Sequence, residues 1–285
     1  MFNLNEGLMK YLFEGKVADL KFYIAYVVGI IAIIIIPYLL GSINSAIIVS
    51  KVGYHDDIRN HGSGNAGLTN TLRTYGLGAA GLTLLGDILK TVIAIAVAGV
   101  IWGFGYVAGV STQQFLYVAG LFAVLGHIFP IYYGFKGGKG VLATATMALV
   151  LSPIPFLILL SVFVILVWWT RYVSLGSVVG VGLYPVAMSG YFLVRFGVSM
   201  PGLTALCTVL LAIMIVWCHR GNLQRISDRT ERKISFQKKE KDLTIKTDAG
   251  TFSNSDGRYA CEYCGILRNV GDTKCPHCGA PEKKR

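Results

Sequence analysis

The chain has 285 residues, 54% of them hydrophobic and only 14% charged, with a formal net charge of +11. Soluble domains carry about 25% charged residues, so this composition excludes an ordinary soluble protein. The positive balance suits an anionic substrate and an anionic inner leaflet, and no basic helix with base-reading side chains accompanies it, which argues against a nucleic-acid partner.

Residues 1–21 mix Lys10, Lys16 and Lys21 with Glu6, Glu14 and Asp19, the pattern of a short interfacial extension. The apolar run from Phe22 to Ser50 is far longer than the roughly 7–15 residues of a secretory signal core, so it predicts a retained span, interrupted by Pro37 and Gly41. Further apolar stretches cover 77–103, 113–133, 140–151, 154–170, 173–194 and 201–218. At about 20 residues per spanning helix, the expectation is an all-α polytopic membrane protein of about seven transmembrane helices. Lys51, Arg59, Arg73, Lys136, Lys139, Arg171 and Arg220 fall on alternate connections or span ends. The positive-inside rule then predicts an outside N-terminus and a cytoplasmic C-terminus.

Four polar patches interrupt this pattern on the predicted cytoplasmic side. The first, NHGSGNAGLTNTLR at 60–73, alternates glycine with small polar residues, so its backbone N–H groups could converge on an anion while Arg73 clamps it. A plain polar loop between helices is the alternative. The second, GHIFPIYYGFKGGKG at 126–140, places Lys136 and Lys139 before a new helix start, where anions bind. Its spacing fails the Walker A pattern, and Gly140 stands where Ser or Thr would hold magnesium, which rejects a P-loop NTPase. Arg171, Ser174 and Ser177 form the third patch, and Trp217 to Asn222, with His219, the fourth. Within a span, Asp87 and Lys90 sit three residues apart on one helical face, as an ion pair or as part of a site.

Beyond Arg220 the chain turns polar, with 14 Lys/Arg and 9 Asp/Glu against 12 and 6 up to and including it. The body is bounded at 22–234; residues 235–258 read as a linker. Residues 259–282 carry Cys261-x2-Cys264 and Cys275-x2-Cys278, four thiolates at the spacing of a structural zinc ribbon. A disulfide pair or redox pair is the alternative. A ribbon of this size fits docking of a protein partner better than a second activity.

Six segments in order resemble the bacterial PlsY-type acyl-phosphate:glycerol-3-phosphate acyltransferases: GSI at 41–43, DIRNHGSGNAGLTNTLRTYG at 57–76, GDILK at 86–90, GHIFPIYYGFKGGKGV at 126–141, RYVSLGS at 171–177 and HRGNLQRISDRTERKI at 219–234. The resemblance implies a multi-pass enzyme of the bacterial inner membrane, its active site and ribbon cytoplasmic. It would move an acyl group from acyl-phosphate to the 1-hydroxyl of sn-glycerol 3-phosphate, forming lysophosphatidic acid and phosphate without a catalytic cofactor. Ser63, Arg73, Lys139, Ser177 and Asn222 match family residues that handle phosphates, and His219 matches the histidine near the acceptor. Gly62, Gly64, Asn65, Thr69, Asn70, Lys136, Gly137, Gly138 and Gly140 would complete the anion sites.

The His-x4-Asp pair of other glycerol-phosphate acyltransferases is absent: five residues after the histidines stand Asn60, Ala66, Tyr132, Gln224 and Glu282. Asn44, Ala46, Thr91 and Gly221 depart from the PlsY pattern; Gly221 replaces an expected glutamate. These departures keep open a lapsed acyltransferase acting as a scaffold for the ribbon. A membrane transporter of an organic phosphate is the other alternative.

Overall fold

The structure, a computed structural model, describes residues 20–103, 106–107, 110–234, 245–247, 250–252, 258–261, 267–269 and 272–281. Most of the N-terminal extension, most of the linker and Cys264 lie outside the described residues. The helices in chain order are α1 Leu20–Gly41, α2 Ser45–Tyr54, α3 Leu68–Tyr75, α4 Leu77–Trp102, α5 Gln113–Ile128, α6 Val141–Leu151, α7 Pro153–Thr170, α8 Val173–Gly182, α9 Tyr184–Phe196, α10 Gly202–Cys218 and α11 Arg220–Ser227. Two-stranded antiparallel pairs join β1 Tyr106–Val107 to β2 Val110–Ser111, β3 Ile245–Thr247 to β4 Gly250–Phe252, and β5 Arg258–Ala260 to β6 Leu267–Asn269. The chain divides into two units, residues 1–43 with 87–234, and 44–86 with 235–285.

In the first unit each apolar stretch is helical because a segment in hydrocarbon must satisfy its own backbone. Helix α7 is apolar all round: Ile154, Leu157, Ile158, Ile165, Trp168 and Trp169 face outward, and among its residues only Pro155 and Val167 are buried. Such an exterior fits lipid, not water. Four stretches are long and apolar enough to cross a membrane, Tyr23–Tyr54, Leu77–Trp102, Gln113–Tyr133 and Pro153–Thr170. Two bent pairs, α8 with α9 at 41° and α10 with α11 at 53°, raise the number to six if each is one span. Helix α6, with 11 residues, is about 17 Å long and falls short of a bilayer core of about 30 Å.

Helices α1 and α5 meet backbone to backbone. A β-carbon at Gly126 would lie 2.2 Å from the Tyr38 carbonyl oxygen, so only glycine permits the approach. Tyr38 adds a hydrogen bond from its hydroxyl to the Phe129 carbonyl at 2.8 Å. Around this seam Ile33, Trp102, Phe115, Tyr117, Met147, Tyr184 and Leu211 form the core. Trp102 packs on Phe115 at 4.2 Å between ring centres and meets Tyr26 edge-on at 5.1 Å.

The second unit holds α2, α3, the start of α4 and the described strands 245–247, 250–252, 258–260 and 267–269. Asn44 explains one departure from the family pattern. Its Oδ1 accepts from the Ile47 N–H at 3.0 Å and caps α2, while its Nδ2 donates to the Ala66 carbonyl at 3.2 Å. Ala46 is fully buried beside it. Tyr54 and Tyr75 stack at 4.1 Å, tying the end of α2 to that of α3.

The Asp87–Lys90 pair is fully inside the first unit. Lys90 Nζ lies 2.8 Å from Asp87 Oδ1, donates to the Ile43 carbonyl at 2.9 Å and sits 2.9 Å from Nδ1 of His127. Thr91, another departure, returns its hydroxyl to the Asp87 carbonyl at 2.9 Å and so is satisfied within its own helix. Breaking one partner of a buried pair leaves an uncompensated charge and costs about 3–5 kcal/mol. Lys90→Met and Asp87→Leu should each lower the melting temperature in detergent by about 10 °C. The double variant should recover most of the loss, and an additive loss would refute mutual compensation.

Candidate active site

The expected site residues fall into two groups, one in each unit. In the second unit, residues 55–67 leave α2 through His55, whose φ of 53° ends the helix. Asp57 caps a 3-10 turn over Ile58–Asn60, and its carboxylate pairs with the Arg59 guanidinium at 2.7 Å. That guanidinium holds the Asp57 carboxyl below the usual aspartate range. Ser50 accepts from the Ile58 N–H at 3.1 Å and anchors the turn from α2.

Asn70 organises the rest of the loop. From α3 its Nδ2 donates to the Ile58 and His61 carbonyls at 3.2 and 2.9 Å, and its Oδ1 accepts from the Ser63 N–H at 3.0 Å. It is buried and fully engaged, so it shapes the loop from beneath; the expectation of a direct substrate contact gives way to this role. Gly62 and Gly64 take φ of 60° and 70°, the left-handed turn that carries Ser63 outward. Ser63, Gly64 and Thr69 are exposed, and Arg73 stands one turn after Thr69 on α3. Asn65 is half-buried, its carbonyl receiving the Gly67 N–H at 3.0 Å.

In the first unit, the chain after α5 turns back on that helix. The Gly137 N–H donates to the Ile128 carbonyl and the Gly138 N–H to the His127 carbonyl, each at 3.1 Å. These N–H groups therefore cap α5, where an anion cradle was expected. A β-carbon at Gly137 would lie 2.1 Å from the His127 oxygen, which is why the segment is glycine there. The fold-back delivers Lys139 and Gly140 to the start of α6, whose first N–H groups have no partner within the helix. Lys136 is exposed.

Lys139 Nζ donates to Asn222 Oδ1. The amide of Asn222 donates in turn to Glu231 Oε1 at 2.6 Å, and the same oxygen accepts from Ser174 Oγ at 2.7 Å. Arg225 Nε lies 2.8 Å from Glu231 Oε2. Burial opposes the Glu231 charge, yet the bonds from Asn222, Ser174 and Arg225 together hold its carboxyl below the usual glutamate range. Ser177 lies one turn beyond Ser174 and directs its hydroxyl to the Val173 carbonyl at 2.8 Å. His219, buried just past α10, donates from Nδ1 to the Ile215 carbonyl at 2.8 Å. With the proton on Nδ1, the neutral ring leaves Nε2 as an acceptor.

Glu231 was not among the expected site residues, and Ser174 stood only in the third polar patch, with no partner assigned. Glu231 supplies the carboxylate beside Asn222 that the Gly221 departure had removed from the sequence pattern, and Gly221 itself is exposed. Its signal was present only as an acid nine residues after Asn222, in the last matching segment. Because its folded carboxyl titrates below the ordinary value of about 4.3, Glu231 stabilises fully above that pH, and this contribution fades as pH falls through the lower folded value. Wild type should thus lose thermal stability below about pH 4 more steeply than Glu231→Gln. Parallel acid melting curves would count against the network.

The family model for glycerol-3-phosphate acyltransferase matches residues 31–229. Glycerol-3-phosphate acyltransferase 2 of Bacillus cereus is 41% identical over 207 residues, 73% of this chain and 96% of that protein. The glycerol-3-phosphate acyltransferase of Clostridioides difficile (strain 630) is 40% identical over 210 residues, 74% and 97% of the two chains. Crystal structures of PlsY (YgiH), an integral membrane glycerol 3-phosphate acyltransferase, match with TM-scores of 0.60. The lysophosphatidic acid form is 28% identical and covers 72% of this chain and 95% of that one. The glycerol 3-phosphate form is 29% identical, with 73% and 99% covered. With its Lys139–Asn222–Glu231 network and the Asn70-held turn at Ser63, this chain belongs to the glycerol-3-phosphate acyltransferase family.

Proposed function

We propose that this protein transfers a fatty acyl group from acyl-phosphate to the 1-hydroxyl of sn-glycerol 3-phosphate. The new ester bond joins the hydroxyl oxygen to the acyl carbon, the bond from that carbon to the phosphate oxygen breaks, and the hydroxyl proton leaves on the phosphate. An acyl-phosphate is already activated, so the reaction needs no enzyme nucleophile and no catalytic cofactor. It needs cations and donors placed on phosphate oxygens.

The observation that carries this reading is Lys139 held by Asn222, which is held in turn by Glu231. A lysine on a flexible stem becomes a fixed charge only when its ammonium is steered, and Asn222 steers it. Glu231 is separated from Lys139 by the Asn222 amide, so it orients the cation through that amide. Ser63 and Thr69, exposed above the Asn70-held turn, and Arg73 on the same helix supply further donors for phosphate. Neutral His219 accepts from the acceptor hydroxyl at Nε2 and orients it.

We read the membrane as the bacterial inner membrane and the chemistry as cytoplasmic, because the positive-inside rule assigns to the cytoplasm the connections in the sequence that carry Lys51, Arg59, Arg73, Lys136, Lys139, Arg171 and Arg220. Membrane lipid surrounds the helices and accommodates the acyl chain.

Purified protein given palmitoyl-phosphate and labelled glycerol 3-phosphate should form lysophosphatidic acid, and palmitoyl-CoA offered in parallel should not serve. Ser63→Ala and Lys139→Ala should each lower kcat/KM by about 100-fold or more, the scale of one lost charge-stabilising donor. Turnover with the CoA ester, or an undiminished Lys139→Ala, would overturn the assignment.

A further inference from the structure

The second unit contains a feature that the acyl transfer does not use. Strands β5 and β6 pair with Ala260 opposite Leu267, which places Cys261 at the end of the ladder. The chain then returns through Lys274, bridged to Pro281, and makes a tight turn. There the Gly279 N–H donates to the Cys275 carbonyl at 2.8 Å and the Cys275 N–H to the Ala280 carbonyl at 2.8 Å. The sulfurs of Cys261, Cys275 and Cys278 all lie within 4.8 Å of one another and are buried.

The spacing separates the possible chemistries. The Cys261 and Cys278 sulfurs are 3.7 Å apart. A disulfide requires about 2.05 Å. Thiolates about 2.3 Å from a tetrahedral zinc ion stand about 3.8 Å apart. The buried cluster of this region is Cys261, Cys275, Cys278 and Ala280 among the described residues. A core of that size needs a staple.

The turn also touches the loop that carries Ser63. His61 Nδ1 donates to the Gly279 carbonyl at 2.8 Å, while the other ring nitrogen sits 2.5 Å from an Asp56 carboxylate oxygen. A β-carbon at Gly279 would lie 2.8 Å from the Gly62 nitrogen, so the two backbones are in direct contact one residue before Ser63. The cysteine turn therefore presses on the segment that presents Ser63.

We propose that Cys261, Cys275 and Cys278 bind one zinc ion, and that the zinc-held turn clamps the His61–Gly62 backbone and so sets the position of Ser63. The link to activity rests on the acyltransferase reading; the metal and the clamp do not. Zinc is a structural ion here and takes part in no bond of the reaction.

The test uses the full chain in detergent. Elemental analysis should find about one zinc per chain, lost in Cys275→Ser/Cys278→Ser. Chelation should speed backbone hydrogen exchange over residues 58–70 by about ten-fold, the scale of one lost hydrogen bond, and leave Gln113–Ile128 unchanged. His61→Ala should keep its zinc, show part of the faster exchange already, and gain less on chelation than the wild type. A chain without zinc overturns the site, and exchange over 58–70 that ignores zinc removal overturns the clamp. Acyl transfer should fall several-fold on chelation. Were the zinc-loaded protein inactive with acyl-phosphate, the activity reading would fail while elemental analysis and exchange still decide the metal and the clamp.

Discussion

A lipid bilayer offers no hydrogen bonds, and most of the first unit follows from that constraint. It makes each apolar stretch helical and brings α1 against α5 through small residues. It also explains why Lys90 touches three acceptors or charges at once, the Asp87 carboxylate, the Ile43 carbonyl and His127. The non-helical return after α5 obeys the same rule: Gly137 and Gly138 place their N–H groups on α5 carbonyls that the helix cannot satisfy itself. Only with that segment folded back does Lys139 arrive at the start of α6.

Features set by short spacing were legible in the sequence. The Asp87–Lys90 pair was readable from a three-residue interval, and the helices from long apolar runs. The candidate site was legible as residue types and much less as roles. Asn70 looked like a ligand because it sits in a polar, glycine-rich run, yet its amide spans Ile58, His61 and Ser63 and is consumed by the loop. Gly137 and Gly138 looked like an anion cradle, but whether an N–H faces a ligand or a helix end depends on the backbone path. Glu231 escaped notice because Arg225, Asn222 and Ser174 lie 6, 9 and 57 residues from it, and no local pattern joins Ser174 to it. The short α6 and the bends after α8 and α10 were hidden for a related reason: hydropathy measures transfer to lipid, not the length of unbroken helix.

The Lys139–Asn222–Glu231 chain shows how a lysine can be steered without being neutralised. A carboxylate in direct contact would steer Lys139 but also neutralise it, weakening its pull on any other anion. Placing an amide between the two keeps the direction and softens the cancellation, because Asn222 turns its oxygen to the ammonium and its nitrogen to the carboxylate. Glu231 discharges part of its own field on Arg225 and Ser174. The loss of a glutamate at Gly221 is therefore compatible with an intact network, since the carboxylate arrives from the segment after α11.

The loop of the second unit meets a different difficulty. It is made of small polar residues and glycine, which bury little apolar surface and lose much backbone entropy on ordering. Its order must come from polar anchors: Ser50 on Ile58, Arg59 on Asp57, Asn70 on three points, with the Tyr54–Tyr75 stack at its edge. Each such bond stabilises by only about 1 kcal/mol net, so an exposed serine on a glycine turn keeps considerable freedom. A turn packed against Gly62 from outside removes the space into which that backbone would move, and it does so through backbone rather than through a side chain. Contact through two glycines, Gly62 and Gly279, is the arrangement that achieves this closeness, because any β-carbon at Gly279 would separate the two backbones.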